Sequence, residues 1–438
     1  MAMATPSWLD VPEGSHFSLA NIPFGIISPP DSTERHAAVA VGSHVLDLAI
    51  FSAENGFAAL ESFSAHANNA FSLPVLNYFA ALGRAVHREV RSYLRSMFLQ
   101  DSPHAQILKN NESLRRRCLF RLDDVRTHVP MSIGDYTDFY AGANHAYNVG
   151  VLFRGANNAL QPNYTHLPVG YHGRASSIVI SGTPVRRPWG QVLQNAASDP
   201  KEPTFRPCAK LDFELELAAF VCTANPLGQP VTLAQAEENI FGYVLMNDWS
   251  ARDVQAWEYV PLGPFGSKNF ATTISPWIIL ADALEPFRTK GLENKSRLSP
   301  YLVPSRADTA LDIDLQVDLT TTAGHRTTIT CTNAKNLLWS FPQMLTHHTI
   351  TGCPLNVGDL LGSGTISGST PGSQGSLLEQ NRNGTAAIEL RGEEQRLFLQ
   401  DGDTITITGC CGISAGSRDL VGFGSCRGTI EAALLKTH

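Results

Sequence analysis

The stretch LDFELELAAF (residues 211–220) alternates apolar and acidic residues from Leu211 to Leu217, the period-2 pattern of a β-strand with two unlike faces. Leu211, Phe213, Leu215 and Leu217 point one way, and Asp212, Glu214 and Glu216 the other. Carboxylates two apart on one face stand ~6.6 Å from each other and repel unless water or a cation intervenes. The plain reading of such a row is a solvated outer face. Here, however, the strand runs on into AAFVC, apolar on both faces, so it enters a core. A cation is therefore worth seeking.

The rest of the chain supplies the setting. Short β patterns occur at PFGIIS (23–28), HAAVAVG (36–42), HVLDLAIF (44–51), SSIVISG (176–182), LDIDLQVDLTT (311–321) and TITITG (404–409), most of them bounded by turn residues. Between residues 76 and 98, Phe79, Leu82, Val86, Val90, Tyr93 and Met97 recur at steps of three and four, which predicts a helix. A more polar helical stretch covers 104–118, and VTLAQAEENIFG (231–242) and WSFPQMLTHH (339–348) are the helical patterns further on. The expectation is an α+β, mainly β chain, with a small N-terminal α+β domain over residues 1–129 and a larger mainly β catalytic domain over 130–438. Its 438 residues also favour two domains.

Composition narrows the function classes. A net charge of -7, with no basic run longer than RRR at 115–117, argues against non-specific nucleic-acid binding. No apolar stretch approaches the ~20 residues of a membrane span. The opening MAMATPSWLDVPEGSHF has neither the basic nor the apolar segment of a signal peptide. The eight cysteines are scattered without a C-x-x-C pair, which suits reduced, mostly buried thiols and a cytoplasmic address.

Three segments concentrate functional residue types. IGDYTDFYAGANHAYNVGVLFRG (133–155) carries Asp138, Tyr140, His145 and Arg154 in what reads as a loop rich in Gly and Asn. The segment 244–277 opens as a buried strand and places Asp248 at its end, where loops bring polar groups into sites. Arg252, Gln255, Tyr259 and Lys268 follow. GSGTISGSTPGSQGSLLE (362–379) is a Gly/Ser loop ending in Glu379. Singly each is weak: Asp248 fits a turn or helix cap, and His145 fits a structural histidine. Together Asp138, Glu214, Glu216 and Asp248 form an oxygen-only set of the kind that Mg²⁺ or Ca²⁺ prefers to zinc. Rival motifs are poorer. GISAG (412–416) matches a serine-hydrolase elbow, but no helix pattern follows Ser414, and His438 is the only histidine after it. GSGTISG (362–368) and GFGSCRG (422–428) match no phosphate-binding pattern. His347 and His348 lack zinc-helix spacing.

DYTDFY (135–140), HLPVGYHGRASSIVISGTPVRRP (166–188), MNDWSARD (246–253), WEYVPLGPF (257–265) and SGTISG (363–368) together resemble the fumarylacetoacetate hydrolase family. The likeness is densest over 130–280 and looser in the N-terminal region and around 286–306. It implies an N-terminal SH3-like barrel, a C-terminal β-roll and a homodimer. It implies a divalent cation, Ca²⁺ or Mg²⁺, on Asp138, Glu214, Glu216 and Asp248. A second cation position is implied at Asp248, Lys268, Thr272 and residue 271, where the family pattern has glycine and this chain has Ala271. The resemblance gives His145 the role of general base; the mechanism expected from it has Glu379 orient His145 and Arg252, Gln255 and Lys268 donate to an oxyanion. Substrate contact falls to Tyr140, Arg154, Gln255, Tyr259 and Thr365. The implied reaction is hydrolysis of a carbon–carbon bond in a 1,3-diketone acid, 4-fumarylacetoacetate, to fumarate and acetoacetate in tyrosine and phenylalanine catabolism. The alternatives are an acylpyruvate hydrolase or a keto-acid decarboxylase or hydratase on the same scaffold, and a non-enzymatic calcium-binding β protein. Asp212 has no counterpart among the implied ligands and is expected at the wet end of its row.

Overall fold

The computed structural model describes residues 5–195, 199–413 and 419–435. The serine of the G-x-S-x-G match, Ser414, and His438 both lie outside that set. The chain is α+β with more strand than helix, as the alternating patterns require.

The N-terminal region is built on a five-stranded antiparallel sheet. Its order is Leu119–Arg121, His44–Asp47, His36–Val41, Phe24–Ser28 and Arg126–His128. Helices cover it through an aromatic cluster in which Phe24, Phe57, Phe63, Phe71 and Phe79 pack ring against ring. The helix expected over 76–98 is two helices, Asn77–Ala81 and Arg84–Phe98. Gly83 separates them with φ +83°, a left-handed backbone that no helix interior accommodates. The helical stretch expected over 104–118 shortens to Glu112–Cys118, which starts where the Asn111 side chain accepts from Leu114 N at 3.1 Å.

The remaining strands form two main sheets. One has eight strands and runs, edge to edge, through Gly170–His172, Tyr136–Phe139, Leu360–Gly362, Leu215–Val221, Ile240–Asp248, Thr272–Ile274 and Ile178–Ile180, with Ile279–Leu280 also on Ile240–Asp248. The other has five: Arg326–Asn333, Asp314–Thr320, Thr404–Cys411, Val421–Glu431 and Val185–Arg186. The GFGSCRG run lies inside the Val421–Glu431 strand. Leu215, Leu217, Ala219 and Val221 pack into the core shared with Leu315, Val317, Ile405 and Phe423. Ala218 and Phe220, on the opposite face, join Phe24, Phe71 and Phe79 in the N-terminal core. The strand therefore serves two cores, one on each face.

The aromatic junction carries a testable property. His87 is fully buried between Phe79 and Phe241, with ring centroids 5.0 and 4.8 Å away. Its Nε2 donates to the Phe79 and Ala80 carbonyls, each at 3.0 Å, and its Nδ1 has no partner among the described residues. Burial lowers its pKa to about 4, so the native state holds it neutral. Between pH 6.5 and 4 the unfolded chain binds a proton the native state refuses, so stability rises with pH there and falls on acidification. The full loss is about 3 kcal/mol. His87→Phe should flatten this part of the pH dependence in denaturant titrations at pH 7.5 and 5. An unchanged slope would show that His87 is not the group responsible.

Candidate active site

The alternating strand is interrupted, yet it keeps register. Leu211 and Asp212 pair with Ala251 and Ser250, and pairing resumes with Leu215 opposite Asn247 and Glu216 opposite Met246. The same register sets Glu214 opposite Asp248, where the ladder opens; Asn247 Oδ1 accepts from Glu214 N at 3.1 Å and the Glu214 carbonyl from Asp248 N at 3.3 Å. Directly opposed residues share a face, so both carboxylates project to one side. Two strands across, Asp138 pairs with Gly362. A Cβ on Gly362 would stand 2.7 Å from Asp138 Oδ1 and 3.3 Å from Glu216 Oε2, so only glycine leaves the carboxylates room. One oxygen from each of Asp138, Glu214, Glu216 and Asp248 lies within 4.8 Å of the others, all on buried residues.

Electrostatics make this group demanding. Burial first, then repulsion from Asp248, pushes Asp138 well above the usual carboxylate range. Burial, then Asp138 and Asp248, does the same to Glu216. Burial also opposes the charge on Glu214, but Lys268 and then Arg252 prevail and hold it at about 2. Lys268 Nζ donates to Glu214 and, at 2.8 Å, to Asp248, while Arg252 reaches Glu214 Oε1 at 2.8 Å. Were all four carboxylates ionised, the two cations would leave two negative charges, the charge of one divalent ion. Glu216 Oε1 is buried without a partner among the described residues, and Gly364 N donates to Glu216 Oε2 at 2.9 Å and Asp138 Oδ1 at 3.2 Å. An orphan oxygen, an all-oxygen donor set and a cradle that a Cβ would fill together fit a hard cation. Oxygens on opposite sides of an ion stand about 4.2 Å apart for Mg²⁺ and about 5 Å for Ca²⁺, so this spread suits either.

Around the second cation position, Thr272 Oγ1 donates to Asp248 Oδ1 at 3.1 Å, and Thr272 sits opposite Asp248 on the adjacent strand. The Lys268 side chain is a counter-cation and offers no lone pair while protonated. Burial opposes its charge, but Asp248 and Glu214 raise its pKa. Any ligation by Lys268 or Ala271 would use backbone carbonyls.

The segment expected as a loop over 133–155 is a strand, Tyr136–Phe139, followed by a helix, Ala143–Arg154. His145 lies in the first turn of that helix. Its Nδ1 is 2.7 Å from Glu379 Oε2, and its Nε2 is 3.9 Å from Glu214 Oε1. Asn148, one turn on, donates to Glu379 Oε1 at 2.8 Å; Ser367 and Ser376 donate to Oε2 at 2.9 and 2.8 Å. Burial works against the Glu379 charge, yet His145 and these donors hold its pKa below the ordinary value. These partners, and Tyr171 OH on Asp248 Oδ2 at 2.8 Å, were not singled out in the sequence. Asn148 follows His145 at helical spacing, and Tyr171 belongs to GYHGRASS; either signal was available.

A cleft of about 370 Å³ opens over the group. Tyr140, Arg154, Gln255, Tyr259 and Thr365 all line it, as do His145, Arg252 and Lys268. Glu379, Asp248 and Thr272 lie behind that surface. Arg252 NH1 also donates to Gln255 Oε1 at 3.2 Å, and its NH2 is buried without a partner among the described residues. Arg154 is spent partly on the Asn158 and Ala159 carbonyls, at 3.1 and 2.6 Å. His348 bonds Thr137 Oγ1 at 2.8 Å and His347 bonds Tyr301 OH at 3.0 Å, apart from the cleft.

Asp212 is not at a wet end. It is fully buried and bonded to Arg252 Nε at 2.9 Å. The expectation failed because the apolar core closes over both ends of the row, not only the Ala218 end.

Comparison with known proteins shows the family. A family model described as fumarylacetoacetate (FAA) hydrolase C-terminal matches residues 136–431, and one described as fumarylacetoacetase N-terminal matches 20–130. A fumarylacetoacetase of Aspergillus fumigatus is 62% identical over 430 residues, covering 98% of this chain and 99% of the relative. One of Emericella nidulans is 60% identical over 426 residues, covering 97% and 98%. Among solved structures, a fumarylacetoacetate hydrolase from psychrophilic Exiguobacterium antarcticum aligns with TM-score 0.51 at 17% identity, over 94% of this chain and 99% of its own; that likeness concerns the fold. With both family models matched along the chain and relatives this similar over nearly their whole length, the chain belongs to the fumarylacetoacetate hydrolase family.

Proposed function

We propose that the chain hydrolyses the carbon–carbon bond of 4-fumarylacetoacetate to fumarate and acetoacetate, the last step of tyrosine and phenylalanine catabolism. The observation that carries the reading is the His145–Glu379 pair at the edge of a buried four-carboxylate group, under a cleft lined by Arg154, Tyr140, Gln255, Tyr259 and Thr365. Glu379 accepts from Nδ1 and leaves Nε2 of His145 to take a proton from water. The hydroxide adds to the carbonyl on the fumaryl side. Arg252 NH2, Gln255 and Lys268 stand as donors to the alkoxide, each worth about 3 kcal/mol if aligned. As the carbon–carbon bond breaks, the leaving carbon takes back the proton His145 removed. Arg154 suits a substrate carboxylate. A divalent ion, Ca²⁺ or Mg²⁺, held by Asp138, Glu214, Glu216 and Asp248 would supply Lewis acidity to the diketone oxygens.

Further parts of the reading rest on the family. They are a division into units at 1–129 and 130–438, consistent with family matches of 20–130 and 136–431, a homodimer, and a cytoplasmic address. No helix among the described residues is long and apolar enough to cross a membrane. Mixing the protein with fumarylacetoacetate and following loss of its conjugated absorbance tests the assignment. Turnover of an acylpyruvate, or decarboxylation of a keto acid, in its place would move the chain to another activity of the scaffold. No turnover of any of them would favour a binding protein.

A further inference from the structure

We propose that Asp212 is a positioning residue that holds the His145–Glu379 pair and the Arg252 guanidinium in one frame. The inference rests on His145 acting as the base. Asp212 Oδ1 accepts from Leu377 N at 2.7 Å and Phe213 N at 2.8 Å; Oδ2 accepts from Leu378 N at 3.0 Å and Arg252 Nε at 2.9 Å. An ionised carboxylate has about four acceptor sites, and all are used. Nothing is left for water or a metal, which is why Asp212 sits beside two proposed ligands and is not a third.

Apart from the neighbouring Phe213 amide, the donors come from two arms. Leu377 and Leu378 open the Leu377–Gln380 helix, a single turn that carries Glu379. One turn cannot hold itself, and Asp212 ties two of its amides to the strand. The other arm is Arg252, whose NH1 reaches Glu214 and Gln255. The orienting acid of the base and a donor of the proposed oxyanion site are therefore fixed by the same two oxygens. Asparagine would match the volume but not the pattern: its NH₂ would face N–H donors, so some of the four contacts would become repulsive.

Asp212→Asn should lower kcat about 10²-fold, with KM changed less than about threefold, as losses in supporting hydrogen bonds do. In a Glu379→Gln background the same change should cost under about fivefold, because the frame no longer holds a working pair. A residue needed only for folding would cost the same in both. A second readout needs no turnover. Imidazole ¹⁵N shifts of His145, assigned by their loss in His145→Gln, report which nitrogen carries the proton. The proton is expected on Nδ1 in the wild type and spread over both nitrogens in Asp212→Asn. Asp318→Asn, at a buried aspartate of the second sheet, should leave it on Nδ1. Equal losses in the two backgrounds, or the same ¹⁵N pattern in Asp212→Asn and wild type, would overturn the proposal. If Asp212→Asn does not fold, Asp212→Glu, which keeps the charge but displaces the two oxygens, replaces it in the cycle with Glu379→Gln; additivity again overturns it. A wild-type protein inert toward fumarylacetoacetate would defeat the proposed function, and the ¹⁵N pattern would still decide Asp212.

Discussion

His145→Ala is expected to lower kcat on fumarylacetoacetate by about 10³-fold, within the range a positioned general base contributes. The imidazole lines the cleft, and its neighbours prepare it to accept a proton. Its Nδ1 is fixed by Glu379, and Glu379 is fixed by Asn148, Ser367 and Ser376. Removing the ring leaves the four-carboxylate group intact, so divalent-ion affinity measured by calorimetry should change little. Glu379→Gln should cost about 10²-fold, since the amide keeps one acceptor for Nδ1 but loses the charge that favours the imidazolium. Steady-state kinetics beside thermal unfolding of each variant check both values. A His145→Ala enzyme at wild-type rate would falsify the assignment of the base.

Exhaustive chelation is expected to abolish turnover, by at least about 10³-fold, and Mg²⁺ or Ca²⁺ to restore it. The physical reason is the charge left over among Asp138, Glu214, Glu216 and Asp248 once Lys268 and Arg252 are counted. Two substitutions separate ion binding from fold support. Among the described residues Glu216 forms no ion pair with a cation; its Oε2 takes the Gly364 amide and its Oε1 has no partner there. Glu216→Gln should therefore weaken the ion while leaving the unfolding midpoint nearly unchanged. Glu214→Gln also strips a partner from buried Lys268 and Arg252, and should cost about 3 kcal/mol of stability as well. Full activity in a metal-free preparation would sink the cation reading.

How much of this was visible in the sequence differs by residue. Alternation over 211–217, carried on by the apolar run that follows, gave a strand there and the two faces of its side chains; the structure has it at Leu215–Val221. The four carboxylates were legible as a set because Asp138, Glu214, Glu216 and Asp248 each stand within or at the end of a largely apolar stretch, where an acid needs a partner. The helix at Ala143–Arg154 was not legible: Gly142, Asn144, Asn148 and Gly150 read as loop chemistry, and tertiary packing overrode them. Asp212 was misread for a different reason. Its partners Leu377 and Leu378 lie 165 and 166 residues away, and no local pattern announces a carboxylate that serves another segment's backbone.

The Leu215–Val221 strand has one more consequence. Its carboxylate-bearing face continues, through Ala218 and Phe220, into the aromatic packing of Phe24, Phe71 and Phe79. A lesion in that distant packing, with no residue near the cleft touched, would reach the catalytic strand as lost cooperativity. Such variants should be scarce in the cell because they are cleared, while the molecules that survive work at normal affinity and speed. A deficiency caused this way is one of quantity, and it would answer to a stabilising ligand in the cleft, where a defect at His145 would not.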